Sequence, residues 1–294
     1  MRSYLFVPGD APRKLEKGLA SGADALLLDL EDSVAVDAKP KAREVVRDYL
    51  NANIAKKDRP RLFVRVNALD TGMTDADLDA VIAARPDGIL FPKSRHGGDV
   101  THLDAKLTAR EALYGIDEGA TRILVLVTES AQALFGLHNY RGASKRLDGM
   151  TWGAEDLSAD LGAETNRNEK GDYTDPYRLA RAQCLIAAVA AEVAPIDSIY
   201  PSFRDSDGLK RETLEGRRDG FTGKMAIHPD QVPVINEIYT PSAESIAQAK
   251  RLVDAFKAAG NAGVISLDGQ MYDQPHLKRA QRLLARVGKK QEPA

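Results

Sequence analysis

Four side chains in this sequence carry charge where an apolar run stops: Arg65 in FVRVN, Glu129 in VLVTES, and Glu155 with Asp156 in MTWGAEDL. The runs before Glu129 and Asp156 are consecutive β-rich segments, so the two carboxylates can converge from adjacent strands. Hard oxygen donors with no His or Cys beside them suit Mg²⁺ or Mn²⁺, which keeps the rest of its shell for water and substrate. Such a cation would also relieve the crowding of Glu155, Asp156, Asp160 and Glu164, which otherwise raise one another's pKa. A plainer reading stays open, in which Asp156 caps LSADLGAE and Glu129 caps SAQALFGL. The two residues alone do not choose.

Arg65 brings an always-charged fork of five donors, which suits a carboxylate or a developing oxyanion. Its alternative is a salt bridge to Glu31 or Asp32 in the acid-dense DLED, whose carboxylates are expected to hydrogen-bond metal waters and Arg65 rather than ligate. His228 in AIHPD is a lone histidine before proline, as suited to structure as to chemistry. His96, His102 and the pair Arg217 and Arg218 read as surface, HGGD as a flexible turn without phosphate-loop spacing, and Asp160 with Glu164 as the outer face of a helix.

These residues need a frame that brings strand ends together. Eight β-rich runs end in polar residues: SYLFVPGD, ALLLDLED, LFVRVN, GILFPK, RILVLVTE, DGMTWGAED, DSIYPS and GKMAIHP. Between most of them lie helical patterns, such as APRKLEKGLASG ending on Gly22 and DPYRLARAQCLIAAVAAEVA, where Asp175 can cap and Pro176 takes the first turn. Strand then helix eight times over predicts an α/β fold, the (β/α)₈ TIM barrel, with a C-terminal helical extension. An open doubly wound sheet would show a glycine-rich phosphate turn after its first strand, and VPGDAP is not one. In a barrel the chemistry sits at the C-terminal strand ends, which carry Asp10, Glu31, Asp32, Arg65, Asn67, Lys93, Glu129, Glu155, Asp156 and His228.

The barrel is expected over residues 1–240 and a separate helical segment over 241–294. That segment reads as a capped helix, PSAESIAQAKRLVDAFKAAGN, closed by Gly260, then an extended piece with a glycine turn, GVISLDGQMYD, then the helix QPHLKRAQRLLARVG. The KKQEPA end is expected to fray.

Composition narrows the function classes. Of the 294 residues, 43% are hydrophobic and 29% charged, the balance of a soluble globular protein, and no stretch approaches the roughly 20 apolar residues of a membrane span. MRSYLFVPGD has too few apolar residues for a signal-peptide core, so a cytoplasmic location is expected. A net charge of −2 argues against a nucleic-acid partner. The one cysteine, Cys184, excludes an intrachain disulfide and reads as a buried, inert thiol.

Together, LFVPGD, LLLDLEDSVA, KPKARE, VRVN, FPK, VTES, WGAEDL, AIHP and DGQMYD, in this order from Arg2 to about Arg286, resemble the citrate lyase β-subunit-like family of the HpcH/HpaI aldolase superfamily, which includes malyl-CoA and citramalyl-CoA lyases. The resemblance implies a Mg²⁺-dependent barrel, a homotrimer or hexamer, acting on the C–C bond between an acetyl-CoA-like thioester and a small 2-oxo acid, glyoxylate or pyruvate. It implies Glu129 and Asp156 as metal ligands and Arg65 as the cation at the thioester and oxo-acid oxygens. It further implies backbone contacts to the oxo acid at Glu155 and Asp156, and coenzyme A contacts near Phe6, Lys17, Ile227 and His228. Asp273 matches the acid/base that reaches a neighbouring subunit's site. Where the family often has a basic residue after the PG(S/D) turn, this chain has Ala11, with Arg13 two places on. The carrier is then coenzyme A with altered contacts or a protein-borne thioester, and malyl-CoA thioesterase and citrate lyase β-subunit activities are the alternatives.

Overall fold

The protein is described by a computed structural model over residues 1–260 and 262–288; the KKQEPA end lies outside the described residues. Eight parallel strands close into a barrel in chain order. They are β1 Ser3–Pro8, β2 Ala25–Asp29, β3 Arg61–Arg65, β4 Gly88–Phe91, β5 Arg122–Leu126, β6 Leu147–Thr151, β7 Ala194–Asp197 and β8 Gly223–Ala226. Helices α1 Pro12–Leu19, α2 Lys39–Asn53, α3 Thr74–Val81, α4 Gly97–Tyr114 and α5 Ala131–Phe135 follow the first five strands. Both α6 Ala154–Leu161 and α7 Asp175–Ala190 link β6 to β7, then come α8 Ser206–Asp219 and α9 Gln231–Tyr239. The expected (β/α)₈ barrel is the fold.

Its strands are apolar on both faces for a physical reason. Alternate residues point inward and outward, so Tyr4, Leu27, Phe63, Leu90, Leu124, Ile196 and Met225 fill the barrel interior. Their neighbours Leu5, Leu26, Leu28, Leu62, Val64, Ile89 and Val125 form the layer beneath the helices. Each such fully buried side chain contributes about 2 kcal/mol. Gly88 makes the interior possible, since a Cβ there would sit 2.4 Å from Cε1 of Phe63.

Several local expectations change. β7 is Ala194–Asp197, so the strand ends where DSIYPS was expected to continue it; Ile196 and Asp197 pair with Gly223 and Lys224 of β8. HGGD is no loose turn but opens α4: Gly97 N–H donates to Asn139 Oδ1 at 2.7 Å, and a Cβ on Gly97 would strike the Asn139 carbonyl. Thr174, not Asp175, stands at the N-cap of α7. Gly162, with φ of 66°, stops α6, so Glu164 lies beyond the helix. Arg217, although exposed, donates from Nη1 to the Ile238 carbonyl.

A second compact unit begins at Thr240. Ser242 caps α10 Ala243–Ala258 by accepting from Ser245 N–H. β9 Val264–Leu267 and β10 Gln270–Asp273 pair antiparallel through Asp268 and Gly269, both at positive φ, as a two-residue hairpin turn requires. The helix α11 Gln274–Gly288 follows, and Leu252, Phe256 and Ala280 lie in the unit's small core. Among the described residues no helix is long and apolar enough to cross a membrane.

Candidate active site

The inward positions that Tyr4, Leu27 and Phe63 occupy deep in the barrel are taken, two residues further along, by Phe6, Asp29 and Arg65. The core thus changes character at the C-terminal end. Asp29 and Arg65 are register partners on β2 and β3. The guanidinium grips the carboxylate with both prongs, Nε to Oδ1 and Nη2 to Oδ2, each 2.7 Å. Arg65 Nη1 also lies 2.9 Å from Glu31 Oε2 and 3.4 Å from Asp32 Oδ2, and the guanidinium stands 4.9 Å over the Phe6 ring. Burial opposes the charge on Arg65, but its bonds to Asp29 and the fields of Glu31 and Asp32 outweigh burial and raise its pKa. Burial likewise opposes charge on Asp29, and Arg65 with the Ser33 side chain and the Glu31 N–H holds that carboxyl below the usual range. The salt bridges to Glu31 and Asp32 are those that the alternative reading of Arg65 expected, and they sit at the barrel mouth.

Glu129 lies three residues past β5, buried, and accepts the Lys93 backbone N–H. Lys93 follows β4 at a φ of 53°, a left-handed conformation that costs a side-chain-bearing residue roughly 1–2 kcal/mol. Its ammonium reaches Glu31 Oε1 at 2.7 Å, Asp32 Oδ1 at 3.3 Å and Asp156 Oδ1 at 3.4 Å. Burial, then the charges of Asp156 and Glu31, push the Glu129 carboxyl up to about 8. Glu31 is pushed up to about 7, chiefly by burial.

The β6–α6 turn sets Asp156 by neighbouring anchors. Trp152 is buried and donates from Nε1 to Asp197 Oδ1 at 2.8 Å, while its ring meets Tyr173 edge-on. Gly153 lets the turn press against Glu129: an added Cβ would lie 3.0 Å from Glu129 Cγ. Gly153 supplies no side-chain cap, so the first N–H groups of α6, those of Glu155 and Asp156 among them, are left for solvent or ligand. Asp160, although exposed, is no idle outer-face residue, because it accepts the Ala131 N–H at 2.7 Å and ties α6 to the start of α5. Ser130, rather than Glu129, caps α5, and Asp156 stands inside the first turn of α6 rather than at its cap.

Phe6, Arg65, Glu129 and Asp156 are thus brought to one end of the barrel, linked through Glu31, Asp32 and Lys93. The other expected site residues have separate surroundings. Lys17 is exposed in the last turn of α1. The Glu155 side chain turns away to accept from Asn166. The N–H groups of Ile227 and His228 both donate to Gln231 Oε1, and the His228 ring stacks on Phe203 at 4.8 Å. Asp273, in the second unit, pairs with His276, whose hydrogen bond lowers the Asp273 carboxyl's pKa. Asp29 makes the hydrogen bonds to Arg65 that were expected of the DLED carboxylates, whereas Lys93 was noted only as a strand-end residue with no assigned role. Inward alternation from Leu27 would have placed Asp29 opposite Arg65, whereas nothing in FPK announces the left-handed backbone of Lys93.

Among the described residues no group of three or more His, Cys, Asp or Glu side chains is arranged to hold a metal. Two carboxylates are nevertheless a sufficient protein share for Mg²⁺, which keeps water and substrate oxygens for its other positions. Glu129, a buried carboxylate driven toward protonation by a second carboxylate, is the environment that a hard divalent cation would relieve. The residues fit the ion.

Residues 2–229 match the model of the family described as HpcH/HpaI aldolase/citrate lyase. The chain is 33% identical over 285 residues to a citrate lyase subunit beta-like protein of Mycobacterium tuberculosis strain H37Rv, covering 97% of this chain and 95% of that one. It is 35% identical over 293 residues to a (3S)-malyl-CoA thioesterase of Cereibacter sphaeroides, covering 97% and 94%. The crystal structure of the CitE protein from Mycobacterium tuberculosis with magnesium, acetoacetate and coenzyme A superposes with a TM-score of 0.76 at 32% identity, covering 98% of both chains. A closed barrel whose acidic and cationic groups gather at its C-terminal end accords with these matches, and the chain belongs to the HpcH/HpaI aldolase/citrate lyase family.

Proposed function

We propose that this protein is a Mg²⁺-dependent lyase that makes or breaks the C–C bond between an acyl-CoA and a small 2-oxo acid such as glyoxylate or pyruvate. The observation that carries the reading is the meeting of Arg65 with Glu129 and Asp156 at one barrel end, joined by shared contacts to Glu31, Asp32 and Lys93. The relatives named for citrate lyase and malyl-CoA chemistry, and the related structure holding magnesium, acetoacetate and coenzyme A, support it.

Glu129 and Asp156 would hold Mg²⁺, which when bound supplies Lewis acidity to substrate oxygens. The uncapped N–H groups of Glu155 and Asp156 would receive the oxo-acid carboxylate, as helix N-termini receive anions. In the condensing direction Asp273, contributed by a neighbouring subunit, takes the α-proton of the acyl thioester. Its lowered pKa keeps it a base at neutral pH. Arg65, fixed by Asp29 before substrate arrives, stabilises the enolate oxygen without reorganising. In cleavage the substrate hydroxyl gives its proton to water as the C–C bond breaks to the 2-oxo acid and an enolate, and Asp273 then protonates the enolate carbon to give the shortened acyl-CoA. Phe6, Lys17, Ile227 and His228 serve coenzyme A, and the exposed apolar side chains Phe135, Leu179, Ile186 and Val189 suit association into a homotrimer or hexamer.

A malyl-CoA thioesterase is the second reading, favoured by the relative of that name. Incubation with malyl-CoA, citramalyl-CoA and methylmalyl-CoA in Mg²⁺ separates the two. A lyase releases a 2-oxo acid and a shorter acyl-CoA, whereas a thioesterase releases free thiol and an intact hydroxy acid. Turnover of none of these, but of the same acyl group on a carrier protein, would instead identify a citrate lyase β-subunit.

A further inference from the structure

The ammonium of Lys93 occupies the region that the proposed cation shares. Among the described residues five carboxylates gather there, those of Asp29, Glu31, Asp32, Glu129 and Asp156, against two cations, Arg65 and Lys93. Arg65 is committed to Asp29 by two bonds. Lys93 is the cation that bridges the two acidic segments, with Glu31 and Asp32 from the β2 end and Asp156 from the β6 end. Its backbone and side chain act separately: the N–H binds Glu129 and the ammonium binds the other carboxylates. The left-handed backbone permits both from one residue.

We propose that Lys93 is the built-in counter-ion of the divalent site, neutralising Glu31, Asp32 and Asp156 when the metal is absent and competing with it for Asp156. This rests on the reading of Glu129 and Asp156 as the metal's ligands. A cation 3.4 Å from Asp156 Oδ1 must move or tolerate repulsion when a doubly charged ion binds the same carboxylate. The consequence is moderate metal affinity in a site that does not collapse by self-repulsion when empty of metal.

The test uses the full chain, with Mg²⁺ alone and Mn²⁺ alone titrated calorimetrically and thermal melts recorded with and without metal. Lys93→Met is expected to bind Mg²⁺ at least about tenfold more tightly, the effect of removing one unit charge at this range even where water screens it fully. It should also melt lower than wild type without metal, and recover in saturating Mg²⁺. Lys93→Arg should restore near-wild-type affinity. Lys93→Gly keeps the N–H to Glu129 and suits the positive φ, so it tests loss of the ammonium should Lys93→Met fail to fold. Unchanged or weaker Mg²⁺ binding in a natively folded Lys93→Met or Lys93→Gly overturns the proposal. Absence of Mg²⁺ binding in wild type overturns the ligand reading beneath it, so the two failures are distinguishable.

Discussion

Arg65 and Asp29 face each other across β3 and β2 as register partners, their side chains joined by two parallel hydrogen bonds of 2.7 Å. A two-pronged pair fixes the plane of the guanidinium as well as its position, so Nη1 is held toward Glu31 and the barrel mouth before any substrate binds. Asp29 is therefore a positioning residue for Arg65.

Arg65→Lys keeps the charge but loses the fork. Turnover of the CoA thioester is expected to fall by about 10²–10³, the cost of losing one preorganised oxyanion donor, while Mg²⁺ affinity measured by calorimetry stays close to wild type. Full turnover in the Arg65→Lys variant would show that Arg65 only buttresses the acidic strand end.

The pH dependence follows from Glu129 and Glu31, pushed up to about 8 and about 7. Both values lie above the ordinary carboxyl pKa of about 4.3, so the unfolded chain loses these protons first. Their contribution to stability is complete below that ordinary value and is lost as pH rises through the folded values. Metal-free melts are expected to fall in Tm between about pH 4 and pH 8, and saturating Mg²⁺ to remove most of that decline. Over the same interval Mg²⁺ should bind more tightly, because it needs the ionised carboxylate. Glu129→Gln should abolish the Mg²⁺ effect and flatten the decline above about pH 7, leaving only the part due to Glu31, and a wild-type metal-free Tm that does not fall would refute the assignment.

Lys224 tests the frame rather than the chemistry. It is fully buried on β8, 2.8 Å from Glu212 and 3.5 Å from Asp197, and Asp197 is also held by Arg181 and Trp152. Burial works against the Asp197 charge, yet Lys224 and Arg181 hold its carboxyl well below the usual range. Lys224→Met strands buried negative charge and should destabilise by about 3–5 kcal/mol, seen as a lower urea midpoint in Trp152 fluorescence. A change under about 1 kcal/mol would mean that Arg181 alone satisfies Asp197.

The sequence by itself determined the barrel. Strands covered on both faces must read as unbroken apolar runs, as ALLLD does, and the charged residues that end those runs must then gather at one rim. It also marked Arg65, Glu129 and Asp156 as candidates, because a charge at the end of an apolar strand is conspicuous. What it could not determine were the partners, because they depend on register and on backbone conformation. Arg65 pairs first with Asp29, not with the more conspicuous Glu31 or Asp32, since parallel register sets Asp29 directly opposite. Asp160, though exposed, ties α6 to the start of α5 by accepting the Ala131 N–H. Lys93 holds Glu129 with its amide and three other carboxylates with its ammonium through a left-handed φ that no local pattern encodes. Residue types announced a gathering of charges at one rim, and only the closed barrel decided which of them pair.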